Sequence, residues 1–145
     1  MRMPAPRTAT ARWEGTLQEG KGTMRFGGGA FEGQYSFSSR FEEGTGTNPE
    51  ELIGAAHAGC FSMALSGGLG RAGFPPTSVD TTARVHLEKG DSGFRIARIE
   101  LDTKVAAPGI NDAAFQEQAE TAKKNCPVSQ ALTGVDIQLS ATLTG

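Results

Sequence analysis

The 145-residue chain has two cysteines, Cys60 and Cys126, and each stands where sulfur chemistry is feasible. Cys60 closes a run of small residues, Gly54-Ala55-Ala56-His57-Ala58-Gly59-Cys60, and Cys126 precedes Pro127 at a break in a helical pattern. Each also has a plain alternative, because free cysteine is among the most buried residue types and packs as a small hydrophobe. To act as a nucleophile a cysteine must be a thiolate, and an apolar helix raises the thiol pKa unless a cation or hydrogen-bond donors stabilise the charge. Cys126, as N-cap of a short following helix, would have such donors at hand. A bridge between the two would need Cα atoms within about 7 Å.

Arg40 is the best candidate cation, since it ends an expected strand immediately before the loop that feeds the Cys60 helix. Its alternative is a solvated strand-end arginine. A guanidinium keeps its charge and offers a planar fork of donors, so it could hold a thiolate and an approaching oxygen together. Glu50 and Glu51 compete to orient it. Glu51 is accounted for as the capping-box residue if Asn48 caps the helix, which leaves Glu50 for the arginine. In a straight helix Glu50 lies about 15 Å along the axis from Cys60, so it reaches that sulfur only through a bend, or serves a partner chain's cysteine. His57, one turn before Cys60, could be a general base, but a histidine in a buried helix is more often a hydrogen-bonded core or interface residue. His86 sits on a polar strand face. With two histidines and no spaced carboxylate cluster, no metal site is expected.

The elements that must position these residues follow from periodicity. Short strands are expected over 9–14, 22–26 and 34–41, with Gly27-Gly28-Gly29 as a turn. Thr47-Asn48-Pro49-Glu50-Glu51 then starts a helix at Pro49 that should run to about Ala72, with Gly73 as C-cap and Pro75-Pro76 as stop. This helix lacks a polar face along most of its length, so it is expected to be surrounded by protein, and a chain this short implies a dimer. Alternation of Val79, Thr81, Ala83, Val85 and Leu87 marks a half-buried strand. In the next strand Phe94 and Ile96 share one parity and Ile99, Leu101 and Val105 the other, which places a bulge near Ala97-Arg98. Asn111 caps a helix with Phe115, Ala119, Ala122 and Cys126 on one face; a short helix over 128–133 and a strand through Val135, Ile137, Leu139, Ala141 and Leu143 complete the chain. The fold class is α+β, one domain over 1–145, with about six antiparallel strands, a long buried central helix and two shorter helices.

A net charge of −2 with balanced signs gives no basic stripe, so neither nucleic acid nor an anionic membrane surface is an expected partner. The uncharged stretch 52–70 reads as a core helix because it holds His57, Ser62, Ser66 and several glycines. The first residues carry no apolar run of the signal-peptide kind, and a cytoplasmic location is expected.

The block 46–65, with Thr47-Asn48-Pro49-Glu50-Glu51 and His57-Ala58-Gly59-Cys60-Phe61-Ser62-Met63, resembles the central helix of the osmotically inducible protein C and organic hydroperoxide resistance (OsmC/Ohr) family. Gly73-Phe74, Val105-Ala106-Ala107-Pro108-Gly109-Ile110 and Asn125-Cys126-Pro127-Val128-Ser129-Gln130 extend the likeness over nearly the whole chain from Arg40, and an arginine in the expected third strand, His57 and Val128-Ser129-Gln130 resemble the OsmC branch. Gly67-Gly68 departs from the larger residues expected there.

The resemblance implies an intertwined homodimer and a thiol peroxidase that reduces organic hydroperoxides in oxidative or osmotic stress. Cys60 would be the peroxidatic cysteine, Cys126 the resolving one, Arg40 the activating arginine and Glu50 its carboxylate. No bound cofactor is implied, but an external dithiol or lipoylated protein would be the reductant. An apolar vestibule including Phe41, Phe61 and Met63 would favour alkyl hydroperoxides. The alternative from another class is a non-enzymatic redox or stress-responsive small-molecule-binding protein on the same fold.

Overall fold

The computed structural model describes residues 2–145. The chain divides into two compact units, Met1–Pro49 and Glu50–Gly145.

In the N-terminal unit, β1 (Ala9–Glu14), β2 (Lys21–Phe26) and β3 (Phe31–Tyr35) form an antiparallel meander, β2 central. Trp13 and Tyr35 both pair with Gly22, and their rings meet across it with centroids 5.3 Å apart. A Cβ on Gly22 would stand 2.5 Å from the tyrosine ring, so only glycine admits this aromatic pair. The strand expected over 34–41 stops at Tyr35. Phe37–Phe41 is instead a helical turn, α1, because Ser36 caps it: its hydroxyl accepts from the Ser39 amide at 3.1 Å, and the Ser39 hydroxyl accepts from the Ser36 amide at 2.8 Å. Two serines in a reciprocal cap satisfy donors that a strand would have left to a neighbour. Arg40 therefore sits on a helix, not at a strand end, with its guanidinium over the Phe41 ring at 5.2 Å.

The C-terminal unit is a helix layer on one sheet. The long helix α2 (Pro49–Arg71) is followed by β4 (Ser78–Gly90), β5 (Gly93–Ala106), α3 (Asp112–Asn125), α4 (Pro127–Ala131) and β6 (Asp136–Leu143). Helix α2 starts and stops where the sequence places its signals. Its end is closed by the Phe74 amide bonding back to the Leu69 carbonyl at 2.8 Å, with Gly73 at φ 93° in the left-handed region that a C-cap glycine tolerates. Strands β4 and β5 pair antiparallel, and the register slips between His86 and Leu87, opposite the expected bulge: His86 faces Arg98, Leu87 faces Ile96, and Ala97 is the extra residue.

Strand β6 pairs parallel to β5, so the all-antiparallel expectation fails for this strand. The cause is topological. Two helices intervene between β5 and β6, and such a crossover returns the chain to the end of the sheet from which β5 set out.

One face of the sheet is apolar, with Ala83 and Val85 of β4, Ile99, Leu101 and Val105 of β5 and Ile137 and Leu139 of β6 in a core shared with Phe61, Leu65, Leu69 and Phe115. Each such large side chain contributes about 1.5–3 kcal/mol on burial. Helix α2 lies close on β4: a Cβ on Gly54 would meet Val85 at 3.3 Å, and the Ser62 and Thr81 hydroxyls hydrogen-bond at 2.7 Å. Helix α3, capped by Asn111 as expected, reaches β6 through Gln116, whose amide donates to the Ala141 carbonyl at 2.8 Å. The outer face carries the polar set, where His86 hydrogen-bonds Glu100 among Arg84, Arg98 and Glu88.

The expectation that α2 is surrounded holds for one stripe only. Gly54, His57, Phe61, Leu65 and Leu69 are buried, while Ala55, Ala56, Gly59 and Met63 lie open, Met63 at 79% exposure. By length and composition this helix could also cross a bilayer, but its buried stripe is the one that rests on the sheet.

Candidate active site

Helices α2 and α3 run antiparallel with Gly68 against Gln118, whose side-chain oxygen is 2.7 Å from where a Gly68 Cβ would be. Carried toward the start of α2, the same register brings Cys60 to Cys126 and His57 to Ser129. The tertiary structure meets both. The Cys60 and Cys126 sulfurs are 2.8 Å apart as free thiols, and His57 Nε2 lies 2.8 Å from the Ser129 hydroxyl. A disulfide bond is about 2.05 Å, so closing one asks less than about 1 Å of movement from the sulfurs.

The two thiols differ in surroundings. Cys126 is fully buried and Cys60 half-buried. Cys126 ends α3 and is the N-cap of α4, yet its sulfur caps nothing. The Val128 amide at the start of α4 stands where it favours the Cys60 thiolate. Burial pushes the Cys60 thiol above its ordinary range, with the Cys126 hydrogen bond and charge adding to the rise and the Val128 amide opposing it.

His57 is fully buried, and burial lowers its pKa, which favours the neutral ring. Its Nε2 is committed to Ser129 and its Nδ1 has no partner among the described residues, which makes it the hydrogen-bonded core residue rather than a base for the thiol. Glu50 is buried in the first turn of α2. Because α2 is one uninterrupted helix, Glu50 stays three turns, about 15 Å, from its own Cys60. Arg40 belongs to the N-terminal unit, where it lines a cleft of about 250 Å³ with Trp13, Leu17, Tyr35, Phe37 and Phe41.

Of the residues expected in an apolar vestibule, Phe41 lines that cleft, and Met63 lines another of about 230 Å³ between α2 and α3. Phe61 does not, being wholly inside the core. Sequence reasoning missed the parts played by Val128 and Ser129. The signal available was their spacing, two and three residues beyond Cys126 at a helix start.

A pair of free thiols within bonding reach, one buried and one half open, on an α+β scaffold, defines a dithiol redox protein. Comparison with known proteins sharpens the class. The family model described as OsmC-like protein matches residues 42–140, and the chain belongs to that family. It is 54% identical over 135 residues to "Peroxiredoxin OsmC" of Escherichia coli strain K12, covering 90% of this chain and 94% of that protein. It is 31% identical over 99 residues to the "Organic hydroperoxide resistance protein" of Xanthomonas axonopodis pv. citri, covering 67% and 68%. Among solved structures, the organic hydroperoxide resistance protein OhrB of Bacillus subtilis superposes with a TM-score of 0.70 at 27% identity, covering 93% of this chain and 98% of that one.

Proposed function

We propose that this protein is a cysteine-based peroxidase that reduces organic hydroperoxides to alcohols through Cys60 and Cys126. The observation that carries the reading is the 2.8 Å sulfur separation. In the first step the Cys60 thiolate attacks the terminal oxygen of ROOH, the O–O bond breaks, and the alkoxide takes a proton to leave as ROH; Cys60 becomes a sulfenic acid. In the second step the Cys126 sulfur displaces the sulfenic hydroxyl, which leaves as water, and a disulfide forms. An external dithiol, free or carried as a lipoyl group on a protein, then reduces the disulfide and is itself oxidised.

A thiol raised by burial forms its thiolate more readily beside a cation, and Arg40 is the residue we assign to that role. It would stabilise both the thiolate and the charge on the departing oxygen, with Glu50 fixing the guanidinium by paired hydrogen bonds. No bound cofactor is needed for this cycle. The protein acts as an intertwined homodimer: the open face of α2, Ala55, Ala56, Gly59 and Met63, supports this, since small residues admit close approach of a second helix. Met63→Arg would be near neutral for a monomer but would shift a dimer to monomer in sedimentation equilibrium. A cytoplasmic location fits a cycle that needs reduced thiols, and the net charge of −2 favours neither nucleic acid nor membrane as partner.

The test is steady-state turnover of cumene hydroperoxide with dihydrolipoamide, and of hydrogen peroxide for comparison. Cys60→Ser should abolish turnover, and retained activity would overturn the assignment. One stoichiometric oxidation without turnover under any dithiol would favour the non-enzymatic redox or binding reading.

A further inference from the structure

We propose that His57 and Ser129 form a positioning pair for the disulfide-forming step: their hydrogen bond holds the chain around Cys126 against α2, so that the Cys60 sulfenic acid is captured before a second hydroperoxide reaches it. The inference rests on the peroxidase reading above and adds residues that touch neither substrate nor the reacting sulfurs.

The geometry is that of two clasps one turn apart. His57 precedes Cys60 by three residues and Ser129 follows Cys126 by three, so the His57–Ser129 bond of 2.8 Å joins the same two segments as the 2.8 Å sulfur contact. The sulfur clasp opens and closes with oxidation state, whereas the imidazole–hydroxyl clasp does not. Helix α4, which carries Ser129, has only five residues and no side-chain cap at its start. A helix this short does not hold its place by its own hydrogen bonds. Its first turn is held by Val128, which packs against the core, and at α2 itself by the Ser129 hydroxyl on His57.

His57 is an unusual choice if packing alone were required. The ring is fully buried, and among the described residues Nδ1 is unpartnered and Ser129 is its one side-chain hydrogen-bond partner. A buried polar atom left unpaired is costly, and an apolar side chain of like volume would avoid that cost. The histidine is accounted for if the bond it makes is needed.

Two reactions compete for the sulfenic acid. Cys126–SH reacts with Cys60–SOH to give the disulfide and water; a second ROOH reacts with the sulfenate to give sulfinate and ROH. The ratio of products depends on how well Cys126 is presented and on hydroperoxide concentration, but not on how fast the sulfenic acid forms. Substitution of a residue that merely stabilises the fold would lower the melting temperature and leave this ratio alone.

The experiment treats the reduced full-length protein with graded cumene hydroperoxide and reads disulfide against sulfinic acid at Cys60 by intact-protein mass spectrometry. Ser129→Ala should be half overoxidised at a hydroperoxide concentration roughly tenfold below wild type, the expected size for one lost hydrogen bond. Ser129→Thr, which keeps the hydroxyl, should behave as wild type. His57→Gln, which keeps a polar group near Nε2, should fall close to wild type, whereas His57→Met should match Ser129→Ala and stands in for it if that variant does not fold. Equal product ratios in wild type, Ser129→Ala and His57→Met would overturn the positioning role while leaving the peroxidase intact. Failure of the wild type to form the Cys60–Cys126 disulfide would overturn both.

Discussion

Oxidation of the cysteine pair should stabilise the C-terminal unit by an amount the structure sets. The perturbation is closure of a bond between residues 66 apart in sequence whose sulfurs already lie 2.8 Å apart in the reduced protein. Because the sulfurs are nearly in place, closing the bond spends little native-state strain, and the main effect falls on the unfolded chain, which loses the freedom of a long loop. The chain-entropy relation for a loop of that length gives about 4 kcal/mol near room temperature. For a protein of this size that corresponds to a rise in melting temperature of roughly 10–15 °C. The assay compares thermal unfolding of protein oxidised with one equivalent of hydroperoxide against protein held in excess dithiol, with Cys126→Ser in both conditions as the control that should show no shift. An oxidised form that melts at or below the reduced form would refute the reasoning, because the bond would then be straining the native state rather than restricting the unfolded one.

Further outcomes follow from single side chains. Cys126→Ala removes both the hydrogen bond and the charge that help raise the Cys60 thiol, so the Cys60 pKa should fall; a pH series of iodoacetamide alkylation rates checks this, and an upward shift would contradict it. Phe61→Ala empties a fully buried ring site in the core and should cost about 3–5 kcal/mol by urea unfolding; a loss under about 1 kcal/mol would mean the site is not packed as described. The Glu100 carboxyl is held below its ordinary range chiefly by the His86 hydrogen bond, so its NMR titration midpoint should move up in His86→Ala. A depressed carboxyl stabilises the fold above its unfolded pKa and loses that effect as pH falls through the folded value, so His86→Ala should flatten the acid limb of stability, and an unchanged limb would contradict it.

The periodic signals carried most of the secondary structure. Asn48-Pro49 and Gly73 bound α2, Asn111 caps α3, and the parity change between Ile96 and Ile99 locates the bulge at Ala97. Each is a local rule, in which a dihedral preference or a free backbone donor is answered by a residue a few positions away. The third strand failed at Ser36 because a serine pair can serve a sheet edge or a helical cap, and the alternation through Phe37 and Phe41 does not separate the two. The direction of β6 failed because alternation repeats every two residues whichever way the strand runs.

For the site, the sequence by itself determined the chemical inventory: two thiols, a helix of small residues around one of them, and a proline that ends the helix before the other. It also carried the likeness to a family in which such residues act together. Only the tertiary structure decided that the two sulfurs meet and that His57 is tied to Ser129. The reason is physical. These contacts join residues 66 and 72 positions apart, and they depend on the register in which two helices pack. That register is visible at Gly68, which lies beneath Gln118, and no local preference along the chain encodes it.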